Sequence, residues 1–385
     1  MTKSGARSIL LLSPSSRLLG ARRSLLQLAC NLDPERYRPV VVSKPEGDLV
    51  DALRAAGIAF HPLFMGPWRK GLHFFARPFR IAHLARIARD EGAVLVHSNE
   101  FHSNPYGVRA ARKAGHLPTV CHMRLSITPR QIRNYDLRRA DRVICVSRDG
   151  ARFFQEAWPD WNDRVEVVYN GVDLREFHAT ESRREARMRF RLGPEHFVIG
   201  QFGLVSPRKR IHLLLNAAAL LKEGHLGNVQ PRLLIVGSPG KSDLEYEQSL
   251  RRLVVDKGLQ EIARFIPFTP DVADIYRACD VNVLVSNEEG FGRTIIEAGA
   301  MGIPSVGARV GGIPEIIEDG ETGLLVPEDD DGTALADRLR LLISHPARRA
   351  EMGEAARRRV ADLFSIEKHA ERIMAIYDRL LERKG

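Results

Sequence analysis

Val281-Asn282-Val283-Leu284-Val285-Ser286-Asn287-Glu288-Glu289-Gly290-Phe291-Gly292-Arg293-Thr294-Ile295-Ile296-Glu297-Ala298 is the stretch on which the reading of this 385-residue chain turns. Residues 281–285 form an apolar run of strand length, as expected of a strand buried in a parallel sheet. Residues 294–298 open a helix, and two glycines lie in the loop between. Strand, glycine-bearing loop and helix together aim backbone N–H groups and a positive helix end at an anion. Glu289 and Glu297 bracket that loop.

The same alternation extends in both directions. Toward the N-terminus, apolar runs at 9–12, 39–42, 58–63, 94–96, 119–121, 143–146 and 165–168 read as strands. Helical spacing separates several of them, as at 24–32 and 48–56. After an aperiodic, Asn-Gly-bearing segment at 169–179, strands restart at 197–202, 233–236, 263–266, 281–285, 305–306 and 323–326. Helices are expected at 210–221 and 244–257, and throughout 333–381 with a break at Pro346. Strands alternating with helices of this length predict βαβ units and parallel sheets. The fold class is therefore α/β, with two doubly wound Rossmann-like halves and a ligand cleft expected between them.

Composition narrows the function. No stretch approaches the roughly 18–20 apolar residues of a membrane span, and the run at 9–12 is too short for a signal peptide. Cys30, Cys121, Cys145 and Cys279 stand singly, without CxxC spacing, and are read as reduced core thiols of a cytosolic protein. The net charge of +10 is unevenly placed: residues 1–178 carry 28 Lys and Arg against 17 Asp and Glu, and the remainder 30 against 31. The first half thus faces an anionic partner, a membrane surface or a phosphorylated acceptor, or else is a solvated arginine-rich surface. Within it, the aromatic and basic segment 68–80 suits an interfacial element, although Pro78 is expected to interrupt any long amphipathic helix there. No recognition-helix motif or regular stacking pattern supports nucleic-acid binding.

Two carboxylates invite a glycoside hydrolase reading, which needs them roughly 5–9.5 Å apart across one bond. Eight residues of helix would set the Glu289 and Glu297 backbones about 12 Å apart. That spacing suits two hydroxyl-bearing groups with an anion between them, the layout of ribose, diphosphate and hexose in a nucleotide sugar.

The segment from Glu289 to Glu297, with Gly311-Gly312-Ile313-Pro314-Glu315 downstream, resembles the E-x7-E glycosyltransferases of family 4, retaining enzymes of the GT-B fold. Ala140-Asp141-Arg142-Val143-Ile144-Cys145-Val146-Ser147, Val167-Val168-Tyr169-Asn170-Gly171-Val172-Asp173, the run from Gly203 to Lys209 and Gly320-Glu321-Thr322-Gly323 extend the resemblance over nearly the whole chain. It implies an N-terminal acceptor-side domain at 1–180 and a nucleotide-sugar domain at 181–365. A helix at 366–385 would pack back on the N-terminal domain.

The resemblance also implies roles. Glu289 would face the hydroxyls of the donor sugar, Gly290, Phe291, Gly292 and Arg293 would line the phosphate loop, and Glu297 would hold the ribose. Lys209 matches a diphosphate-binding cation. The arginine usual directly after the glycine is here Leu204, so either Arg208 or Arg210 is expected to serve instead, or the site runs on Lys209 and backbone dipoles. His122 matches a histidine facing the reacting carbon; Leu125 stands where related chains often carry Asp. Gly20 matches a glycine of the loop after the first strand, where Leu19 and Arg22 replace Gly and Glu. Neither metal nor cofactor is called for beyond the nucleotide-diphosphate sugar itself, and the Asp329-Asp330-Asp331 run reads as a helix cap. The implied partner is a lipid-linked or saccharide acceptor for cell-surface polysaccharide or glycolipid. The implied location is the cytoplasm, peripherally on the inner face of the plasma membrane. The rival readings are a nucleotide-sugar epimerase or hydrolase of the same fold and an inactive sugar-nucleotide-binding protein.

Overall fold

The apolar runs become strands throughout the computed structural model, which describes residues 5–69, 73–125, 128–177, 181–269 and 272–382. The chain divides into two units, residues 1–171 with 366–385, and residues 172–365. The boundary expected at 180 falls outside the described residues. The division lies earlier, because the Val172 N–H donates to the Phe364 carbonyl at 2.9 Å and binds this residue into the second unit.

In the first unit the strands are β1 (Arg7–Leu12), β2 (Tyr37–Ser43), β3 (Ala59–Pro62), β4 (Ala93–Ser98), β5 (Thr119–Met123), β6 (Arg142–Cys145) and β7 (Val165–Val167). They form one parallel sheet in the order β3-β2-β1-β4-β5-β6-β7. Alternate residues of β1 feed opposite faces, as a two-residue period requires. Ile9 and Leu11 pack with the helices Gly20–Asn31 and Ile366–Glu382. Leu10 and Leu12 pack with His73–Asp90 and Asn104–Lys113. The C-terminal helix is thus part of this unit's core, through Ile373, Ile376 and Tyr377.

The second unit holds β8 (His196–Phe202), β9 (Gln230–Val236), β10 (Ala263–Ile266), β11 (Val281–Leu284), β12 (Ser305–Ala308) and β13 (Gly323–Val326). They are parallel in the order β10-β9-β8-β11-β12-β13. In each sheet the order reverses at one place, between β1 and β4 and between β8 and β11. There, successive crossovers leave in opposite directions and the loops beyond the strand ends splay into a crevice.

Two expectations are corrected. Pro78 does not end a helix: the helix His73–Asp90 runs through it. At the sixth position the proline removes the bond its N–H would have given to the Phe74 carbonyl, and the helix persists beyond it through the buried Ile81, Leu84 and Ala85. Cys30 is exposed, unlike the buried thiols of Cys121, Cys145 and Cys279. Among the described residues no helix is long and apolar enough to cross a membrane.

Candidate functional site

The reversal point of the second sheet collects most of the residues singled out from the sequence. The loop after β8 carries Lys209, and the loop after β11 carries Glu289. Lys209 Nζ donates to Glu289 Oε2 at 2.5 Å, with both side chains about nine-tenths buried. Ser286 Oγ also donates to Glu289 Oε2, at 3.3 Å. Burial is the largest single influence on the Glu289 carboxyl and raises its pKa. Lys209, Arg208 and Ser286 together outweigh burial and hold the group below its ordinary value, so it is a carboxylate at neutral pH.

Backbone geometry explains the glycines. Gly311 has φ +53°, and a Cβ there would lie 1.9 Å from the carbonyl oxygen of Glu289. That oxygen also accepts from the Gly312 N–H at 3.1 Å. The Gly-Gly pair therefore fixes the backbone of the loop at Glu289. Gly292, at φ +112°, turns the loop into the helix Arg293–Ala300. Phe291 is 2% exposed and packs edge-on to Phe364 at 5.7 Å. Its ring is a core anchor.

Glu297 is buried on the helix and has its own partners. Tyr276 OH donates to Oε2 at 3.2 Å and Arg293 Nη2 donates to Oε1 at 3.3 Å. The partners found for Glu289 and those found for Glu297 are different groups. Residues 286–292 are loop and the helix begins only at Arg293, so the two carboxylates do not lie on one continuous helix.

The three cations expected near the diphosphate divide by position. Lys209 sits on Glu289. Arg208 Nη1 donates to the Glu288 carbonyl at 3.0 Å, and the Asn287 N–H donates to the Arg208 carbonyl, also at 3.0 Å. Arg208 is thus clasped to the carboxylate loop. Arg210 points elsewhere. Its φ of +48° turns the chain, and its guanidinium bonds the carbonyls of Glu328 and Asp330 at 2.5 and 2.7 Å. Asp330 and Asp331 in turn cap the helix Thr333–Ser344, accepting from the N–H groups of Ala334 and Thr333.

In the first unit, the reversal point between β1 and β4 brings Gly20, Arg22, Asn99 and Glu100 together. Gly20 opens its helix and is exposed. Arg22 Nη1 donates to both oxygens of Glu100, at 3.0 and 3.1 Å. Asn99 Nδ2 donates to the Ala21 carbonyl at 3.0 Å. The basic residue that replaces an expected Glu is therefore balanced locally.

His122, on β5, is fully buried. Its ring lies between those of His97 and His369, at 5.6 and 6.0 Å and within 26° of parallel. Arg124 approaches His122 Nδ1 at 3.4 Å and bonds the Asn99 and Asn170 side-chain oxygens at 2.5 and 2.7 Å. Burial, with Arg124 nearby, holds the His122 pKa well below its ordinary value. The ring is neutral at physiological pH, and its Nε2 has no hydrogen-bond partner among the described residues.

Sequence reasoning missed Tyr276 on Glu297, Asn170 on Arg124 and the pairing of Arg22 with Glu100. It also missed Gly237, whose Cβ would meet the Gly203 carbonyl at 1.8 Å. Only the last had a local signal, a glycine closing an apolar strand run.

Two family models match the chain, Glycosyltransferase Family 4 over residues 19–176 and Glycosyl transferases group 1 over residues 182–359. The D-inositol 3-phosphate glycosyltransferase of Saccharomonospora viridis is 36% identical over 245 residues, which cover 62% of this chain and 55% of that protein. Its namesake from Streptomyces avermitilis is 34% identical over 248 residues, 63% of this chain and 53% of that protein. The chain thus spans about half the length of the curated relatives it matches. The crystal structure of Anabaena Alr3699/HepE in complex with UDP-glucose superposes with a TM-score of 0.84 at 24% identity, over 97% of this chain and 99% of that one.

Proposed function

The chain belongs to the family 4 glycosyltransferases, and from that premise we propose that it moves a hexose-type sugar, with retention, from a nucleotide-diphosphate sugar to an acceptor hydroxyl. The observation that carries this reading is the loop at the β8/β11 reversal point. Two buried carboxylates flank a glycine-bearing turn and a helix start, and the nearer one is paired with Lys209 at 2.5 Å. Glu289 takes the sugar hydroxyls and Glu297 the ribose. Lys209, Arg208 and the N–H groups entering the helix Arg293–Ala300 meet the diphosphate. The UDP-glucose bound by Alr3699/HepE supports a uridine diphosphate sugar as the first donor to try. The names of the curated relatives support a phosphate-bearing polyol as one acceptor to try.

In this reading the anomeric carbon–oxygen bond to the diphosphate breaks as the acceptor oxygen bonds the same face of that carbon. The acceptor proton passes to a departing phosphate oxygen. The protein supplies orientation and charge stabilisation, with no metal required because its own cations meet the leaving group. His122, neutral and buried, is the side chain that the family resemblance assigns to the donor sugar. The other acceptor class in this reading is lipid-linked or saccharide, in cell-surface polysaccharide or glycolipid synthesis at the cytoplasmic leaflet.

Thermal-shift screening of UDP, GDP, ADP and their sugars tests the donor, followed by product analysis with and without acceptor and with EDTA. Stabilisation by a diphosphate sugar and acceptor-dependent, EDTA-insensitive release of the diphosphate are expected. Sugar release or isomerisation without acceptor indicates the hydrolase or epimerase. Binding without turnover under any acceptor indicates the inactive binding protein, a reading that Leu204 favours.

A further inference from the structure

Arg124 follows β5 directly and ties together several segments of the first unit. Its Nε donates to the Asn99 carbonyl at 3.1 Å, and its Nη2 to the Asn99 side-chain oxygen at 2.5 Å. Its Nη1 donates to the Asn170 side-chain oxygen at 2.7 Å. Both asparagines are buried, and the Asn99 amide donates onward to the Ala21 carbonyl at the start of the helix Gly20–Asn31. The guanidinium is therefore held between the ends of β4 and β5 and the segment after β7. A planar fork of donors met by acceptors on separate edges has its orientation set.

That orientation brings Nη2 to 3.4 Å from His122 Nδ1. A guanidinium carries donors only, so His122 Nδ1 takes part through its lone pair. In a neutral imidazole the proton then sits on Nε2. Burial is the first influence that keeps the ring neutral, followed by the Arg124 charge and by His97 and His369, which stack on its two faces. Those neighbours are fixed in turn, His97 Nδ1 by Tyr377 OH at 2.6 Å and His369 Nδ1 by the Tyr169 carbonyl at 2.7 Å. No carboxylate acts on the His122 ring among the described residues. A histidine that serves as a general base has the opposite arrangement, a carboxylate on Nδ1 that stabilises its charged form. Here a cation occupies that place.

We propose that Arg124 is a positioning residue of the first unit, which fixes His122 as the Nε2–H tautomer and makes the ring a hydrogen-bond donor instead of a base. Within the glycosyl-transfer reading, on which its consequence for catalysis rests, the Nε2–H is a donor for an oxygen of the sugar. It has no partner among the described residues, and a buried donor left unmade is costly. The ring then offers no lone pair to the acceptor proton, in keeping with transfer of that proton to the departing phosphate oxygen.

Imidazole 15N NMR of the full chain tests the proposal, with the His122 signals identified by their loss in His122→Gln. The unmodified chain should show a single Nε2–H tautomer that does not protonate through the ordinary histidine range near pH 6.5. Arg124→Met should mix the tautomers and raise the protonation midpoint, and Arg124→Lys should recover part of both. Asn170→Ala, which removes one prop of the guanidinium, should shift them less and in the same direction. It carries the test if Arg124→Met does not fold, as judged by melting temperature. With a nucleotide sugar that turns over, Arg124→Met should lower kcat about tenfold or more and leave KM within about threefold. A proton on Nδ1 in the unmodified chain, or a single Nε2–H tautomer surviving in folded Arg124→Met, overturns the proposal. A changed tautomer with unchanged turnover upholds it and counts instead against the placement of His122 at the sugar, so the two fail separately.

Discussion

In the proposed reading, Leu204 and Arg208 decide how this chain would meet a diphosphate. Lys209 is already neutralised by Glu289, and Arg293 by Glu297. A diphosphate brings more negative charge than these balanced pairs offset. Among the described residues the Arg208 guanidinium bonds a neutral carbonyl and no carboxylate, yet its charge is felt at Glu289, whereas Arg210 is committed to the 328–330 turn. Arg208→Ala should therefore weaken nucleoside diphosphate about tenfold and the monophosphate much less, as read by calorimetry. Adding Leu204→Arg to that variant should restore most of the loss. An equal loss for diphosphate, monophosphate and nucleoside would mean that Arg208 only props the loop. The sequence showed that a cation was displaced but not where it had gone, because the left-handed turn at Arg210 cannot be read from residue type. Tyr276 was equally silent, being one tyrosine on a short helix until the fold sets it against Glu297.

At the scale of elements, most of the architecture was legible. Each βαβ unit buries its strand on both faces, so strands announce themselves as apolar runs such as 281–285 and 9–12. Loop shape was legible only in part. Gly311 and Gly312 were visible as a pair, but not the carbonyl of Glu289 pressed against them. Gly311→Ala must displace that carbonyl, and should cost about 2–4 kcal/mol of stability and more than about tenfold in donor affinity. Gly302→Ala is the matched comparison. It too has positive φ, +71°, but nothing lies within 4 Å of its added Cβ, so it should cost only about 1 kcal/mol. Equal effects in urea melts would refute the close-approach account. The reading of Pro78 failed because the loss of one helical bond is outweighed by the burial of Ile81, Leu84 and Ala85 beyond it, which residue type alone does not show.

For the whole molecule, pairing of distant segments is what one sequence conveys least. The C-terminal helix completes the first unit's core, with Tyr377 OH 2.6 Å from His97 Nδ1 and Asp378 accepting from Tyr37 OH at 2.6 Å. Tyr377→Ala should destabilise this unit by about 3–5 kcal/mol, measured by chemical denaturation. The buried imidazoles set its pH response. Burial, then Arg124 and His369, pushes His97 down to about 3. An unfolded histidine binds its proton near pH 6.5, so below that the unfolded state takes up more protons and stability falls as pH drops toward 3. His97 alone should remove about 2 kcal/mol between pH 7 and pH 5, with His122 acting in the same direction. Melting temperatures that stay flat over that range would contradict the buried stack.

The central claim is that Glu289 holds the transferred sugar while the rest of the loop holds its nucleotide. Its most direct test is the affinity ratio of the nucleotide sugar to the bare nucleoside diphosphate, with turnover, in the unmodified chain and in Glu289→Ala. UDP and UDP-glucose come first, GDP and its sugars next. The account predicts that Glu289→Ala binds the bare diphosphate as well as before or more tightly, since Lys209 is released. It also predicts that the gain from the sugar disappears and that turnover falls by about a hundredfold or more. A folded Glu289→Ala chain that keeps both the sugar-dependent gain and the original turnover would contradict it.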